Sequence, residues 1–365
     1  MILFLHHRYR TTGGEERVVE DLAWLVREEL GEDVEILQRD SSATSGTRAA
    51  AGLLRGGLDP DDVTAAVKRT GARVVHAHNL NPTFGWRALA AARAAGARTV
   101  LHLHNYRLVC AVATCFNSRG EDCTRCQGRN TLPGVRLNCR GSAAEAAAYA
   151  ASLALHQRRI VAHADAVIVP SHAAAARLRE LRAPIGEPHV LGHGVREYAE
   201  RSRAADGTYA FVASRLAVEK GVDVAIAAAR AAGVALVVAG DGPEAARLRA
   251  TAPEVRFTGR VDRAELQRLR AGAAVELVPT RAAETFGLSA VEAMAAGLPV
   301  AASAMGALND LAPEAELVPA GDAAALAQAL QTAWGDAARG ERGLQRAREL
   351  ASPTHVAQRL RSVYG

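Results

Sequence analysis

The stretch ETFGLSAVEAMAAGLPV, residues 284–300, sets Glu284 and Glu292 on either side of a Gly-Leu-Ser turn that opens an alanine-rich helix. It follows VELVP (275–279), a short aliphatic run with strand character, so Phe286, Gly287, Leu288 and Ser289 fall where a strand hands over to a helix. The first N–H groups of a helix lack intrahelical partners, and with the helix dipole they favour phosphate. Glycine there lets an anion come close to the backbone. Carboxylates beside a phosphate site serve hydroxyls instead, so the pattern suits one ligand with a phosphate in its middle and sugar hydroxyls at its ends.

Outward from this stretch the chain alternates strand and helix signals. TYAFVASRL (208–216), ALVVAG (235–240), EVRFTG (254–259), VELVP, PVAAS (299–303) and AELVPA (315–320) form one series. ILFL (2–5), DVEIL (33–37), RVVHAH (73–78), RTVLHLH (98–104) and DAVIVP (165–170) form an earlier one. Such alternation predicts βαβ units and parallel sheets. Between the series lies HGVREYAERSRAADG (193–207), polar and poor in aliphatics, which marks a domain boundary and a hinge. The predicted division is an N-terminal Rossmann-like domain over 1–196, a second over 197–350, and a C-terminal helix over 351–365 that crosses back to the first. Two doubly wound domains leave a cleft at the carboxyl ends of their strands, where such sheets bind ligands.

The composition agrees with this layout. A chain of 365 residues with 49% hydrophobic content is long enough for two cores, and with 4% aromatics those cores must be filled by Ala, Val and Leu. The net charge of +5 fits an anionic ligand, an anionic membrane surface or nucleic acid. Lysine occurs only at Lys68 and Lys220, so Lys220 stands out. It lies in SRLAVEKGVD (214–223) with Arg215, at a strand-to-helix turn, where two cations suit a diphosphate. Gly242 in GDGPE (240–244) and Val261 in GRVD (259–262) end later strands and can present backbone to a ligand.

In this order, SRLAVEKG, GDGPE and the paired glutamates resemble the family 4 glycosyltransferases, and the resemblance covers nearly the whole chain. It implies the α/β GT-B fold, two doubly wound Rossmann-like domains facing across a cleft, and transfer from a nucleotide sugar to an acceptor hydroxyl with retention and without a metal ion. By the same resemblance Arg215 and Lys220 bind the donor diphosphate, Glu292 the ribose hydroxyls, and Glu284 the donor sugar with the amides near Phe286, Gly287 and Leu288. Val261 lies beside the base. The glycine pair Gly13 and Gly14 in HHRYRTTGGEERVVEDLA (6–23) matches the loop that the family sets beside donor phosphate and acceptor. His104, ending LHLH, matches a histidine near the transferred sugar, but Asn105 follows where the family often has aspartate, which changes the local charge.

Cys110, Cys115, Cys123, Cys126 and Cys139 share one loop (110–139). The Cys123 and Cys126 pair has metal-knuckle spacing, and Cys110 with Cys139 completes a tetrahedral set for a structural zinc, leaving Cys115 over. Free thiols and disulfides are the other readings. A bacterial subset of family 4 resembles this loop. No apolar run reaches membrane-span length and the start lacks a signal peptide, which predicts a cytoplasmic protein. The basic segments RYR (8–10) and HQRRIVAH (156–163) allow peripheral contact with anionic lipid. A sugar-nucleotide epimerase is the neighbouring alternative. A nucleic-acid binder is the alternative from another class, opposed by scarce aromatics and scattered Arg.

Overall fold

The computed structural model describes residues 1–9, 13–196 and 201–365. It divides into two compact units, Met1–Gly194 with Pro353–Gly365, and Val195–Ser352.

The first unit carries a six-stranded parallel sheet of β1 (Ile2–Arg8), β2 (Val34–Asp40), β3 (Val74–Ala77), β4 (Arg98–His102), β5 (Ala166–Val169) and β6 (His189–Val190), in the order β2-β1-β3-β4-β5-β6. Ile2, Phe4, Val74, Val100 and Ile168 meet Leu22, Leu25 and Val26 of the helix Gly14–Leu30 in one core. The last helix, Pro353–Tyr364, belongs to this core because Val356, Leu360, Val363 and Tyr364 form its apolar stripe. The hydroxyl of Tyr364 lies 2.8 Å from His76 Nδ1, and Arg73 donates to the Gly365 carbonyl at 3.0 Å. The two-residue β6 gave no periodic signal in the sequence.

The second unit is again a six-stranded parallel sheet, of β7 (Tyr209–Ala213), β8 (Ala235–Ala239), β9 (Arg256–Gly259), β10 (Val275–Val278), β11 (Val300–Ser303) and β12 (Ala315–Val318), but in the order β12-β11-β10-β7-β8-β9, so that its first strand pairs with its second and fourth rather than with its second and third. Its helices meet the sheet largely through alanine, among them Ala225, Ala228, Ala229, Ala329 and Ala333. The first unit gives way to the second after Gly194, a little before the boundary read after 196, and the chain returns at Pro353, a little beyond 350. The reason is local: Val195 N–H donates to the Ala351 carbonyl at 2.8 Å, and Val195 packs on the second unit's core. Residues 197–200 of the expected hinge, and Arg10 of the RYR segment, lie outside the described residues. No helix among the described residues is long and apolar enough to cross a membrane.

Candidate active site

In the second unit the site is built from the loops that follow β7, β8 and β10. After β7 the chain makes a 3-10 turn, Val218–Lys220, and enters the helix Val222–Ala232 through Gly221, whose φ is 64°. A Cβ on Gly221 would stand 2.0 Å from the Pro279 carbonyl oxygen, so this turn lies directly on the end of β10. The contact brings Lys220 Nζ to 2.6 Å from Glu284 Oε1. Arg215 pairs with Glu219 one turn on, its own side chain 39% exposed. Gly242 lies against the Leu216 carbonyl, 2.4 Å from where its Cβ would be, so the GDGPE loop closes on the backbone beside Arg215.

Gly287 is the left-handed N-cap, φ 76°, of the helix Leu288–Ala295. A Cβ there would meet Leu308 at 2.6 Å. Glu284 is held in place by a parallel bridge to Gly306 and by the Ala307 N–H, which donates to its carbonyl at 2.9 Å. Phe286 is buried in the core, with Leu288 and Val261 half-buried against it. Ser289 donates from Oγ to the Ala213 carbonyl at 3.0 Å. Glu292 is buried, and Arg270 Nη1 donates to its Oε2 at 2.7 Å. The fold therefore brings Lys220, Glu284 and Gly287 together from segments 64 residues apart in sequence. Glu292 sits one helical turn deeper, in an ion cluster of its own.

Gly13 and Gly14 in the first unit open the helix that follows β1. The Gly13 N–H donates to Glu16 Oε2 at 2.7 Å, so the helix start is tied by the Glu16 carboxylate alone, and Gly14 has open space where a Cβ would stand. His104 lies just past β4, its Nε2 2.8 Å from His78 Nδ1 and its ring 4.0 Å from that of His102. Burial holds His104, and with it His78 and His102, well below the usual imidazole range. Ring nitrogens of His76, His78 and His102, and of His102, His104 and His193, come within 4.8 Å of one another. The interplanar angles within these trios run from 10° between His76 and His102 to 38° between His102 and His193.

The family models fit both units: a glycosyl transferase 4-like domain matches residues 12–194, and glycosyl transferases group 1 matches 207–336. The first match alone spans half of the chain. The chain belongs to the glycosyl transferase 4-like family. It is 43% identical over 104 residues to the phosphatidyl-myo-inositol mannosyltransferase of Mycobacterium leprae, covering 27% of this chain and 28% of that protein. It is 35% identical over 181 residues to a GDP-mannose-dependent alpha-mannosyltransferase of Mycolicibacterium smegmatis, 46% of each. The chain thus matches a quarter to a half of the length of these curated relatives. Sucrose-phosphate synthase from Thermosynechococcus elongatus shares the fold over 100% of this chain and 98% of that one, with a TM-score of 0.71 at 20% identity. Anabaena HepE in complex with UDP-glucose does so over 99% and 98%, with a TM-score of 0.64 at 19% identity.

This family member lines one cavity of about 20 Å³ with all five cysteines, together with Val112, Pro133, Gly134, Leu137 and Leu181. None is in a disulfide. No three of the sulfurs lie within 4.8 Å of one another. The Cys115 thiol donates toward Cys110, which holds Cys110 below the usual thiol range, whereas burial pushes Cys126 up to about 11.

Two groups of site residues escaped the sequence reading. Arg270 donates from Nε to Glu276 Oε2 at 2.7 Å while binding Glu292, and both Arg270 and Glu276 are 0% exposed. The signal was present: Glu276 is a charge in the middle of the apolar strand VELV. Tyr9, Glu15 and Arg107, which surround Asn105, are the other group. They carry no spacing pattern, because they meet only once β1 and β4 lie in one sheet.

Proposed function

We propose that this chain is a glycosyltransferase that takes a sugar from a nucleoside diphosphate donor and passes it to an acceptor hydroxyl. The observation that carries the reading is the 2.6 Å contact of Lys220 with Glu284 beside the Gly287 helix start, a cation, a carboxylate and a helix N-terminus in one place. Lys220, with Arg215 close by in the same turn, neutralises the diphosphate and stabilises the charge that grows on it as the glycosidic bond breaks. Glu284 exchanges its contact with Lys220 for hydroxyls of the donor sugar, and Glu292, fixed by Arg270, takes the ribose. Gly242 and Val261 border the nucleotide, and the family resemblance gives Gly13 and Gly14 a role beside donor phosphate.

Retention and independence of a metal ion follow the family resemblance. The phosphate oxygen then takes the acceptor proton, so no residue need be a strong base. His104, neutral at physiological pH, serves as a hydrogen-bonding partner of the sugar rather than as a cation.

GDP-mannose is the first donor to try, because the Mycolicibacterium relative is named for it, and UDP-glucose the second, because HepE binds it. Thermal shift with each donor reads binding directly, since a ligand stabilises the folded chain by mass action. Nucleotide release then reads turnover. A shift with neither donor removes the reading.

Cys110, Cys123, Cys126 and Cys139, which line one cavity, would supply the donor set of a structural zinc; metal analysis of the purified chain tests this, one zinc per chain being expected. Leu54 and Leu155, half exposed, lie among exposed Arg55, Arg158 and Arg159, a surface suited to anionic lipid that vesicle sedimentation would test.

A further inference from the structure

The Asn105 that replaces the expected aspartate does not leave the site without a carboxylate. Glu15, from the first turn of the helix Gly14–Leu30, reaches the same place: Asn105 Nδ2 donates to Glu15 Oε2 at 2.8 Å. The Tyr9 hydroxyl donates to the same oxygen at 2.9 Å, and Asn105 Nδ2 lies 3.2 Å from the Tyr9 hydroxyl. Both contacts fall on Oε2, and Oε1 has no protein partner among the described residues. Glu15 lines a cavity of about 40 Å³ with Tyr9, Asn79, His104, Asn105 and Arg107.

The charges around this cavity select its ligand. Arg107, its guanidinium 5.1 Å over the Tyr9 ring, disfavours a cation, and Glu15 itself disfavours an anion. A neutral hydroxyl remains, with a carboxylate oxygen to accept from it and an imidazole beside it. The space holds two or three water-sized groups and not a whole pyranose, so it receives one edge of a ring.

We propose that Glu15 is a sugar-binding residue, whose Oε1 accepts a hydrogen bond from a hydroxyl of the sugar that enters the cavity beside His104. The inference rests on the glycosyltransferase reading and deepens it: the carboxylate lost at 105 is supplied from the helix that follows β1. The groups facing Glu15 are Tyr9, Arg107, Glu16 and Asn105, with His78 and His104 across the cavity. Burial lifts its carboxyl to about 7 against the opposing pull of Tyr9, Arg107 and Asn105. Its accepting, ionised form is therefore complete above neutrality and is lost as the pH falls below 7.

The test labels the glutamate carboxyls with carbon-13 and assigns the Glu15 signal by its loss in Glu15→Gln. Titration with methyl α-mannopyranoside and methyl α-glucopyranoside is expected to move that signal saturably with at least one of them. On the donor that the wild type turns over, Glu15→Gln should lower kcat/KM about 10- to 100-fold, the loss expected for one charge-assisted hydrogen bond. It should also abolish the acid limb near pH 7. Glu15→Gln/Asn105→Asp, which returns a carboxylate to the site, should recover most of the loss with its limb at lower pH. A Glu15 signal that ignores both glycosides overturns the proposal, as does a Glu15→Gln enzyme within twofold of wild type. Should the wild type turn over neither GDP-mannose nor UDP-glucose, that result counts against the proposed function, and the glycoside titration still decides the role of Glu15.

Discussion

Both units are six-stranded parallel sheets, and they differ in strand order and in how they bury polarity. The first buries eight histidines, and seven of them, His6, His7, His76, His78, His102, His104 and His193, have imidazoles held below their usual range chiefly by burial. They are inside because they are neutral, stacked face to face at 4.0 Å for His102 on His104 and 4.4 Å for His76 on His78. The second unit buries full charges instead, Arg270 between Glu276 and Glu292, tolerated because every ion faces an opposite one. A fold can thus bury polar groups in two ways, by discharging them or by pairing them. The two solutions fail under different insults.

Removing one ion should produce the largest effect. Arg270→Met leaves Glu276 and Glu292 buried without their partner and should cost the second unit about 3–5 kcal/mol in urea unfolding. Adding Glu276→Leu should return a good share of that loss, because an apolar strand residue then replaces a stranded charge. If Arg270→Met alone were neutral, the pairing account of the second unit would fail.

Acid should strike the other unit. The seven histidines have folded values below their unfolded value near 6.5, about 4 for His6, His7 and His193 and about 3 for His76. The stability this represents is complete above pH 6.5 and is lost as the pH falls toward 4, because the unfolded chain takes up protons first. The first unit's unfolding free energy in urea should therefore drop steeply over pH 6.5 to 4, by an amount on the order of several kcal/mol. Equal pH sensitivity in both units would contradict the contrast.

The framework of this comparison was legible in the sequence, and the difference was not. Alternating runs such as RVVHAH and ALVVAG announced parallel strands, and every observed strand but β6 falls on its run, though β1 and β2 extend three residues beyond ILFL and DVEIL and β7 stops three residues before the end of TYAFVASRL. The residues of ETFGLSAVEAMAAGLPV announced the Gly287 helix start. The stacked imidazoles were visible only as HAH and HLH, because nothing in one strand says which neighbour its histidines will face. Glu276 stood out only as a charge inside the apolar run VELV, with nothing to name its partner, and Arg270 looked like a solvated helix end. Glu15 is similar: its neighbour Asn105 is 90 residues away, joined only by sheet register.

Smaller perturbations sharpen the picture at the turns. Gly221→Ala must place a Cβ 2.0 Å from the Pro279 oxygen at φ 64°, and should cost about 1–3 kcal/mol while pushing Lys220 off Glu284. Nucleotide affinity should fall along with stability. By contrast Arg230→Ala, which removes the exposed Arg230–Glu254 pair at 2.6 Å, should change the unfolding free energy by less than about 1 kcal/mol.

The most direct test is calorimetric titration of GDP and of UDP into the wild-type chain and into Lys220→Ala. Wild type should bind at least one of the two, and Lys220→Ala should weaken that binding about 10- to 100-fold while its melting temperature stays close to that of wild type. Equal affinities for the two proteins, or no binding of either nucleotide by wild type, would contradict a diphosphate site at Lys220 and Gly287.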